Sequence, residues 1–204
     1  MAEPTAHRNM KHGCIVMASG TATRFGGNKL LAEAGGIPLV EHVVRTTDGL
    51  FAKRVVVTRS AEVAALARSL GAEAILHDEP LRNDAVRLGT EATRSCDDVT
   101  FFPGDQPLIG AASVRRLLVA AEGGPGSIWR AAFRGEPGAP VLFPSWAYNE
   151  LCALPAGKGG GFVARAHPER VRTVEVESKW ELFDVDTAED LRVLRVHLAK
   201  RDDN

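Results

Sequence analysis

Residues 14–29, CIVMASGTATRFGGNK, pass from an apolar run (Cys14, Ile15, Val16, Met17) straight into Ala18, Ser19 and Gly20, then Arg24, Gly26, Gly27 and Lys29. A buried strand that breaks into a small, glycine-bearing turn leaves backbone N–H groups pointing outward, and such a nest binds anions. Arg24 and Lys29 add full positive charge beside it. This is the composition of a phosphate cradle, although the Gly-Lys-Ser/Thr ending of a Walker loop and the G-x-G-x-x-G spacing of a dinucleotide fold are both missing. A solvated glycine turn is the structural alternative. A second group bears on the choice: residues 99–102, VTFF, read as another buried strand, followed by PGDQP with Asp105 inside it. A carboxylate at the carboxyl end of a central strand sits where open α/β sheets bind ligands, while its Gly and Pro neighbours also suit an ordinary turn aspartate. Together the cationic loop and Asp105 point to a nucleotide phosphate with Mg²⁺ between them.

These groups need elements to position them. Residues 30–38 contain Gly35, Gly36 and Pro38 and read as irregular. Leu39, Val40, Val43 and Val44 recur with helical period, residues 53–58 read as a strand, and Ser60 caps a helix carrying Val63, Ala64, Leu66, Ala67 and Leu70 up to Gly71. Residues 74–76 form a third strand, 77–83 a polar loop, and Asp84 heads a helix. This alternation predicts a parallel sheet with helices on both faces. After Asp105 come a helix over 111–121, a surface turn at 123–126, strands at 128–133 and from 138, a glycine-rich turn at 157–161 and a strand over 171–176. Asp184 and Asp186 are two apart, so an extended segment turns both the same way. Thr187 and Asp190 have capping-box spacing ahead of a final helix with Leu191, Leu194 and Leu198 as its apolar stripe.

Composition narrows the function classes. The 204 residues suit a single domain over 13–200 behind a disordered tail at 1–12. The formal net charge of -1 gives no bulk attraction to nucleic acid. Three widely spaced cysteines argue against a disulfide framework and for a reducing cytoplasm. The first dozen residues lack the apolar core of a secretory signal, and no run reaches membrane-spanning length. Six histidines without ligand spacing argue against zinc, and the absence of G-x-S-x-G leaves a hydrolase triad unsupported.

The segments MASGTATRFGGNKLL, FFPGDQP, GAPVLF and DVDTAEDL occur in this order across almost the whole chain. Together they resemble the molybdenum cofactor nucleotidyltransferases, and most of all the branch of cytidylyltransferases that make the cytosine dinucleotide form of the cofactor. The resemblance implies a three-layer α/β/α fold with a mostly parallel sheet, like that of nucleotide-diphospho-sugar transferases. It implies CTP and a molybdopterin-type cofactor as substrates, Mg²⁺ as cofactor, and a molybdenum hydroxylase or its chaperone as a partner. Ala18, Ser19, Gly20, Arg24 and Lys29 would then bind the triphosphate, with Lys29, Arg24 and Asp105 catalytic, and Asp105 and Asp186 would hold the metal.

Residues 82–86, RNDAV, resemble the base-reading segment of the methylerythritol phosphate cytidylyltransferases, which implies base contacts at Asn83 and Asp84; Ala85 stands where that family has serine. A helix N-cap is the structural alternative for Asp84. Gly157, Lys158 and Gly159 lie where the family has Gly-Asp-x-Gly-x-Arg, a departure from the pattern; Lys158 and helix-start N–H groups suit a second phosphate contact, and the three are candidate acceptor-binding residues. A flexible turn is the alternative there. Two other functions stay open: a transferase of the same fold using another nucleotide or a sugar or polyol phosphate, and a non-catalytic protein that carries the cofactor.

Overall fold

The computed structural model describes residues 10–20 and 28–202. Its first strand, β1 (His12–Ala18), is the apolar run that opens the candidate cradle. A single 3-10 turn (Lys29–Leu31) and the two-residue strands β2 (Glu33–Ala34) and β3 (Ile37–Pro38) follow, then helix α1 (Leu39–Thr46). β4 (Lys53–Thr58), α2 (Ala61–Ser69), β5 (Glu73–Leu76), α3 (Arg82–Ala92) and β6 (Asp98–Pro103) continue the alternation. α4 (Ala111–Gly123), β7 (Ile128–Phe133), β8 (Glu136–Pro144), α5 (Tyr148–Cys152), α6 (Gly161–Ala166), β9 (Val171–Glu175) and α7 (Ala188–Asp202) complete the chain.

Seven strands form one sheet in the order β5-β4-β1-β6-β8-β7-β9. β1 lies parallel between β4 and β6, β5 is parallel to β4, and only β8 runs against its neighbours. Alternate residues of β1 feed opposite faces, as the two-residue period of a strand requires. Cys14, Val16 and Ala18 pack with Val40, Val43, Val63, Val114 and Leu117 from α1, α2 and α4. Ile15 packs with Ala85, Val86, Leu151 and Val163 from α3, α5 and α6. The result is the three-layer α/β/α arrangement with a mostly parallel sheet.

Sequence expectation and structure part company in three places. Residues 30–38 are not irregular: Gly35 and Gly36 take positive φ values of 60° and 80° and close an antiparallel hairpin between β2 and β3, so the glycines that suggested a break make the turn itself. This hairpin and Leu39 pack against Val185, Leu191 and Leu194. α3 begins at Arg82 after Leu81, with no side-chain cap. Asp84 is therefore the third helical residue and not the N-cap. His12 belongs to β1 rather than to a tail, while residues 1–9 lie outside the described residues. Other local signals translate directly. Ser60 Oγ accepts the Val63 N–H at 3.3 Å, and Thr187 and Asp190 bond reciprocally, Thr187 N–H to Asp190 Oδ2 at 2.8 Å and Asp190 N–H to Thr187 Oγ1 at 3.1 Å. Among the described residues no helix is long and apolar enough to cross a membrane.

His12 enters the fold through a buried ion pair. Its Nδ1 lies 2.8 Å from Asp98 Oδ2, with His12 7% and Asp98 1% exposed. Burial alone lowers the imidazole pKa, but the Asp98 and Glu122 carboxylates outweigh it and the net shift is upward from 6.5. A raised folded pKa stabilises fully below 6.5, and the contribution disappears as pH rises through the raised value. His12→Gln should cost about 3 kcal/mol at pH 6, because Asp98 stays buried without a cation. The gap should narrow at alkaline pH. Urea unfolding of both proteins at pH 6 and pH 9 measures this, and a gap independent of pH would rule out the ionised pair.

Candidate functional site

The strand order places the site. β4 and β5 step away from β1 on one side and β6 returns on the other, so the chain reverses its direction of winding between β1 and β6. Ligands of open α/β sheets bind at such a crevice, outside the carboxyl ends of the strands. Ser19 and Gly20 leave β1 there, and Gly104 and Asp105 leave β6 beside them. Gly104 donates its N–H to the Met17 carbonyl at 3.0 Å. A β-carbon on Gly104 would stand 3.0 Å from that same oxygen. Glycine at 104 is thus what lets the turn carrying Asp105 close onto the end of β1.

Lys29 reaches this point from the 3-10 turn that Asn28 caps, its Oδ1 accepting the Leu30 N–H at 3.2 Å. Leu30 is buried as the anchor of the turn. The Lys29 ammonium lies 2.6 Å from Asp105 Oδ2 and 3.0 Å from Asp186 Oδ1. Two carboxylates expected to share a metal thus share an ammonium, and their oxygens can be no farther apart than these two contacts laid end to end. Burial lowers the lysine's pKa, yet the hydrogen bond and charge of Asp105, followed by those of Asp186, carry it above 10.5.

Asp186 is brought in by its neighbours. Val185 is fully buried and its N–H donates to the Asp105 carbonyl at 3.0 Å. Asp184 and Asp186 flank it. The start of α7 is served by Asp190 and not by the Asp186 carboxylate: Asp190 makes the capping bonds, accepting the Asp186 N–H at 3.1 Å. Asp184 is a third acid that motif reasoning assigned no role, although its two-residue spacing from Asp186 was the available signal. Part of its surface meets water, but the protein mass around it, and then the Asp105 and Asp186 charges, push its carboxyl up to about 6.

The remaining expected residues divide. Arg24 lies outside the described residues. The Ser19 hydroxyl donates to the Val57 carbonyl at 3.0 Å, so its one hydrogen is already committed within the protein. Asn83 Oδ1 accepts the Gly157 N–H at 2.8 Å, and its Nδ2 donates to Asp84 Oδ1 at 3.3 Å. The segment likened to a base reader is thereby joined to the glycine turn likened to an acceptor loop. Arg82 packs over Gly159, where a β-carbon would meet its Cδ at 3.2 Å. Lys158 is exposed in that turn. A groove of about 310 Å³ lined by Trp180, Val193, Val196 and His197 lies on α7, away from these groups.

In chemical terms, the arrangement offers hard anionic oxygens, a held ammonium and backbone N–H groups at one sheet edge. Among the described residues no three His, Cys, Asp or Glu side chains form a closed metal cage. Mg²⁺ rarely needs one, because it takes one or two carboxylates and fills its remaining positions with substrate phosphate and water. Asp105 and Asp186 already converge on one cation and fit such an open site.

The sequence matches the MobA-like NTP transferase domain over residues 14–171. It is 39% identical over 116 residues to the 3-deoxy-manno-octulosonate cytidylyltransferase of Anaeromyxobacter sp. (strain Fw109-5), covering 54% of this chain and 46% of that protein. It is 34% identical over 120 residues to the bifunctional protein GlmU of Leifsonia xyli subsp. xyli (strain CTCB07), covering 54% of this chain and 25% of that protein. The chain thus spans less than half the length of these curated relatives. Among solved structures, Rv0371c from Mycobacterium tuberculosis H37Rv superposes with TM-score 0.80 at 22% identity, over 91% of this chain and 98% of that one. Its manganese complex gives 0.72 at 20%, over 92% and 98%. CMP:2-keto-3-deoxy-manno-octonic acid synthetase complexed with CTP gives 0.75 at 16%, over 94% and 99%.

The clasp can be tested as structure. Lys29→Met keeps length without charge and leaves three acids facing one another. Unfolding free energy at pH 8 should fall by about 1–3 kcal/mol. The lysine's raised pKa keeps this contribution in full below 10.5, so the deficit should shrink as pH rises through the raised value. Equal urea midpoints at pH 8 would show that the ammonium contributes nothing to the fold.

Proposed function

The chain belongs to the MobA-like NTP transferase domain family, and we propose that it transfers CMP from CTP to the terminal phosphate of a molybdopterin-type cofactor, releasing pyrophosphate, in the maturation of a molybdenum hydroxylase. The observation that carries the transfer chemistry is the convergence of Lys29, Asp105 and Asp186 on one point at the carboxyl edge of the sheet. A phosphate monoester has a second pKa near 6, so the acceptor oxygen is largely ionised at neutral pH and needs no general base. It attacks the α-phosphorus in line, forming the new P–O bond as the bond to pyrophosphate breaks. The protein's contribution is then positioning and charge neutralisation.

In this scheme the backbone after β1, together with Arg24 and Lys29, holds the β- and γ-phosphates. Asp105 and Asp186 would hold a divalent ion, which supplies charge stabilisation at the α-phosphate and the departing oxygen. The manganese complex of one structural neighbour supports a divalent ion of that kind, and Mg²⁺ is the proposed one. CTP is supported by the cytidylyltransferase relative and by the CTP-bound neighbour. The molybdopterin acceptor rests on the four motifs and their order. Gly157, Lys158 and Gly159 are proposed to meet that acceptor, and Asn83 and Asp84 to border the base.

The same relatives favour a second reading, a cytidylyltransferase with a sugar-acid acceptor. A carrier without catalysis is harder to reconcile with an acid pair kept beside a half-buried lysine.

Two experiments test the proposal. CTP with Mg²⁺ should raise the melting temperature more than GTP or ATP does, by mass action on the folded state; a GTP preference would refute cytidylyl transfer. In a pyrophosphate-release assay with molybdopterin cofactor, Asp105→Asn and Asp186→Asn should each lose about 10²-fold or more in turnover while remaining folded, the scale of losing a charge-stabilising group. The double variant should be little worse than either single one, because the pair acts as a unit. Normal turnover in either single variant would remove the shared-metal role. Release stimulated by a sugar acid and not by the cofactor would select the second reading.

A further inference from the structure

The first residues after β1 are held by a set of hydrogen bonds that the transfer scheme leaves unused. Ser19 Oγ lies 2.7 Å from His77 Nε2. A hydroxyl has one hydrogen, and that of Ser19 goes to the Val57 carbonyl. The contact with the imidazole is therefore Nε2–H donating to the Ser19 oxygen, which assigns the tautomer and leaves Nδ1 as the lone-pair nitrogen. The His77 backbone N–H donates to the Thr58 carbonyl at 3.1 Å, and the Thr58 hydroxyl donates to the Ala18 carbonyl at 3.0 Å. The ends of β1, β4 and β5 are thus tied to one another at Ala18 and Ser19.

His77 is an unusual choice if packing is its only task. Its Nδ1 is buried without a hydrogen-bond partner among the described residues, an arrangement that stability alone disfavours. Burial, then the Arg59 charge, keep the ring's pKa below 6.5 against the opposing pull of Glu79, Asp78 and Asp84. The ring is accordingly neutral at physiological pH, the form in which a single N–H is directed at Ser19.

We propose that His77 is a positioning residue for the nucleotide: by donating to Ser19 Oγ it fixes the backbone of Ser19 and Gly20, whose N–H groups meet the triphosphate. This rests on the nucleotidyltransferase reading above. His77 touches no substrate, so its effect is expected on affinity ahead of the chemical step.

The full chain is used for the test, with CTP affinity by calorimetry and KM and kcat from pyrophosphate release. His77→Leu removes the donor and should raise Kd and KM for CTP about tenfold while kcat changes by less than about threefold. Ser19→Ala cuts the same link from the other side, leaves His77 in place and should match it, which covers the case in which the leucine variant fails to fold. His77→Gln carries an N–H donor at similar reach and should return KM to within about threefold of the wild type. Unliganded melting temperatures show whether the folds are intact. A wild-type KM in the leucine or the alanine variant overturns the proposal, as does a folded glutamine variant no better than leucine. If the wild type binds no nucleoside triphosphate, the transferase reading falls and this one with it. If it binds a different nucleotide, only the cytidine choice falls, and the same variant series with that nucleotide decides the role of His77.

Discussion

The Lys29 ammonium joins three segments that are remote in sequence: the turn following the β1 loop, the turn leaving β6, and the stretch that leads into α7. Its bonds to Asp105 and Asp186 add to the backbone hydrogen bonds, Gly104 to Met17 and Val185 to Asp105, that join these segments. The arrangement is electrostatically reciprocal. Burial opposes the charge on the lysine, and the two acids outweigh it. Without the cation, Asp105, Asp184 and Asp186 would share one edge with no counter-charge; burial first, and then the Asp105 and Asp186 charges, already raise the Asp184 carboxyl. Gathering acids at one edge costs stability unless a cation is present, which sets this cluster apart from an ordinary surface ion pair.

That meeting point depends on the sheet. β1 and β6 are neighbours and parallel, so the residues that follow each strand emerge at the same edge. Gly104 permits the closest approach by lacking a β-carbon, and Val185 draws the acid-bearing segment in by burying between the hairpin, α1 and α7. Asp190 takes over the helix start and leaves the Asp186 carboxylate available for Lys29. Each of these is a packing or capping event with no chemistry of its own. Together they set the position of the three charged groups.

On the far side of β1 the polar groups are spent differently. Ser19 and Asn83, both expected to touch the nucleotide directly, have side chains engaged with the protein: Ser19 with Val57 and His77, Asn83 with Gly157 and Asp84. A phosphate held by backbone N–H groups needs a backbone that stays still, and committed side chains are one way of keeping it still. Asn83 couples the start of α3 to the turn at Gly157, so the proposed base and acceptor regions share one support.

Much of the fold was legible in the sequence because its signals are local. Apolar runs, helical spacing, Ser60 and the Thr187–Asp190 pair report backbone geometry over a few residues, and that geometry recurs wherever the pattern does. Lys29, Asp105 and Asp186 were identifiable as chemistry-bearing residues from their types and motifs. Local pattern could also mislead. Gly35 and Gly36 looked like a break and form a hairpin, and Asp84 looked like a cap and lies inside the first turn of α3. No local signal could reveal that Lys29 bridges both acids, that Asn83 is bonded to Gly157, or that His77, in what read only as a polar loop, holds Ser19. Those contacts join residues tens to more than a hundred positions apart. They exist only once the strand order has been chosen, and that choice is made by the burial of apolar faces across the whole sheet. The elements and the reactive side chains were therefore specified by local sequence. Tertiary packing selected which of those side chains converge at the carboxyl edge of the sheet and which hold the others in place.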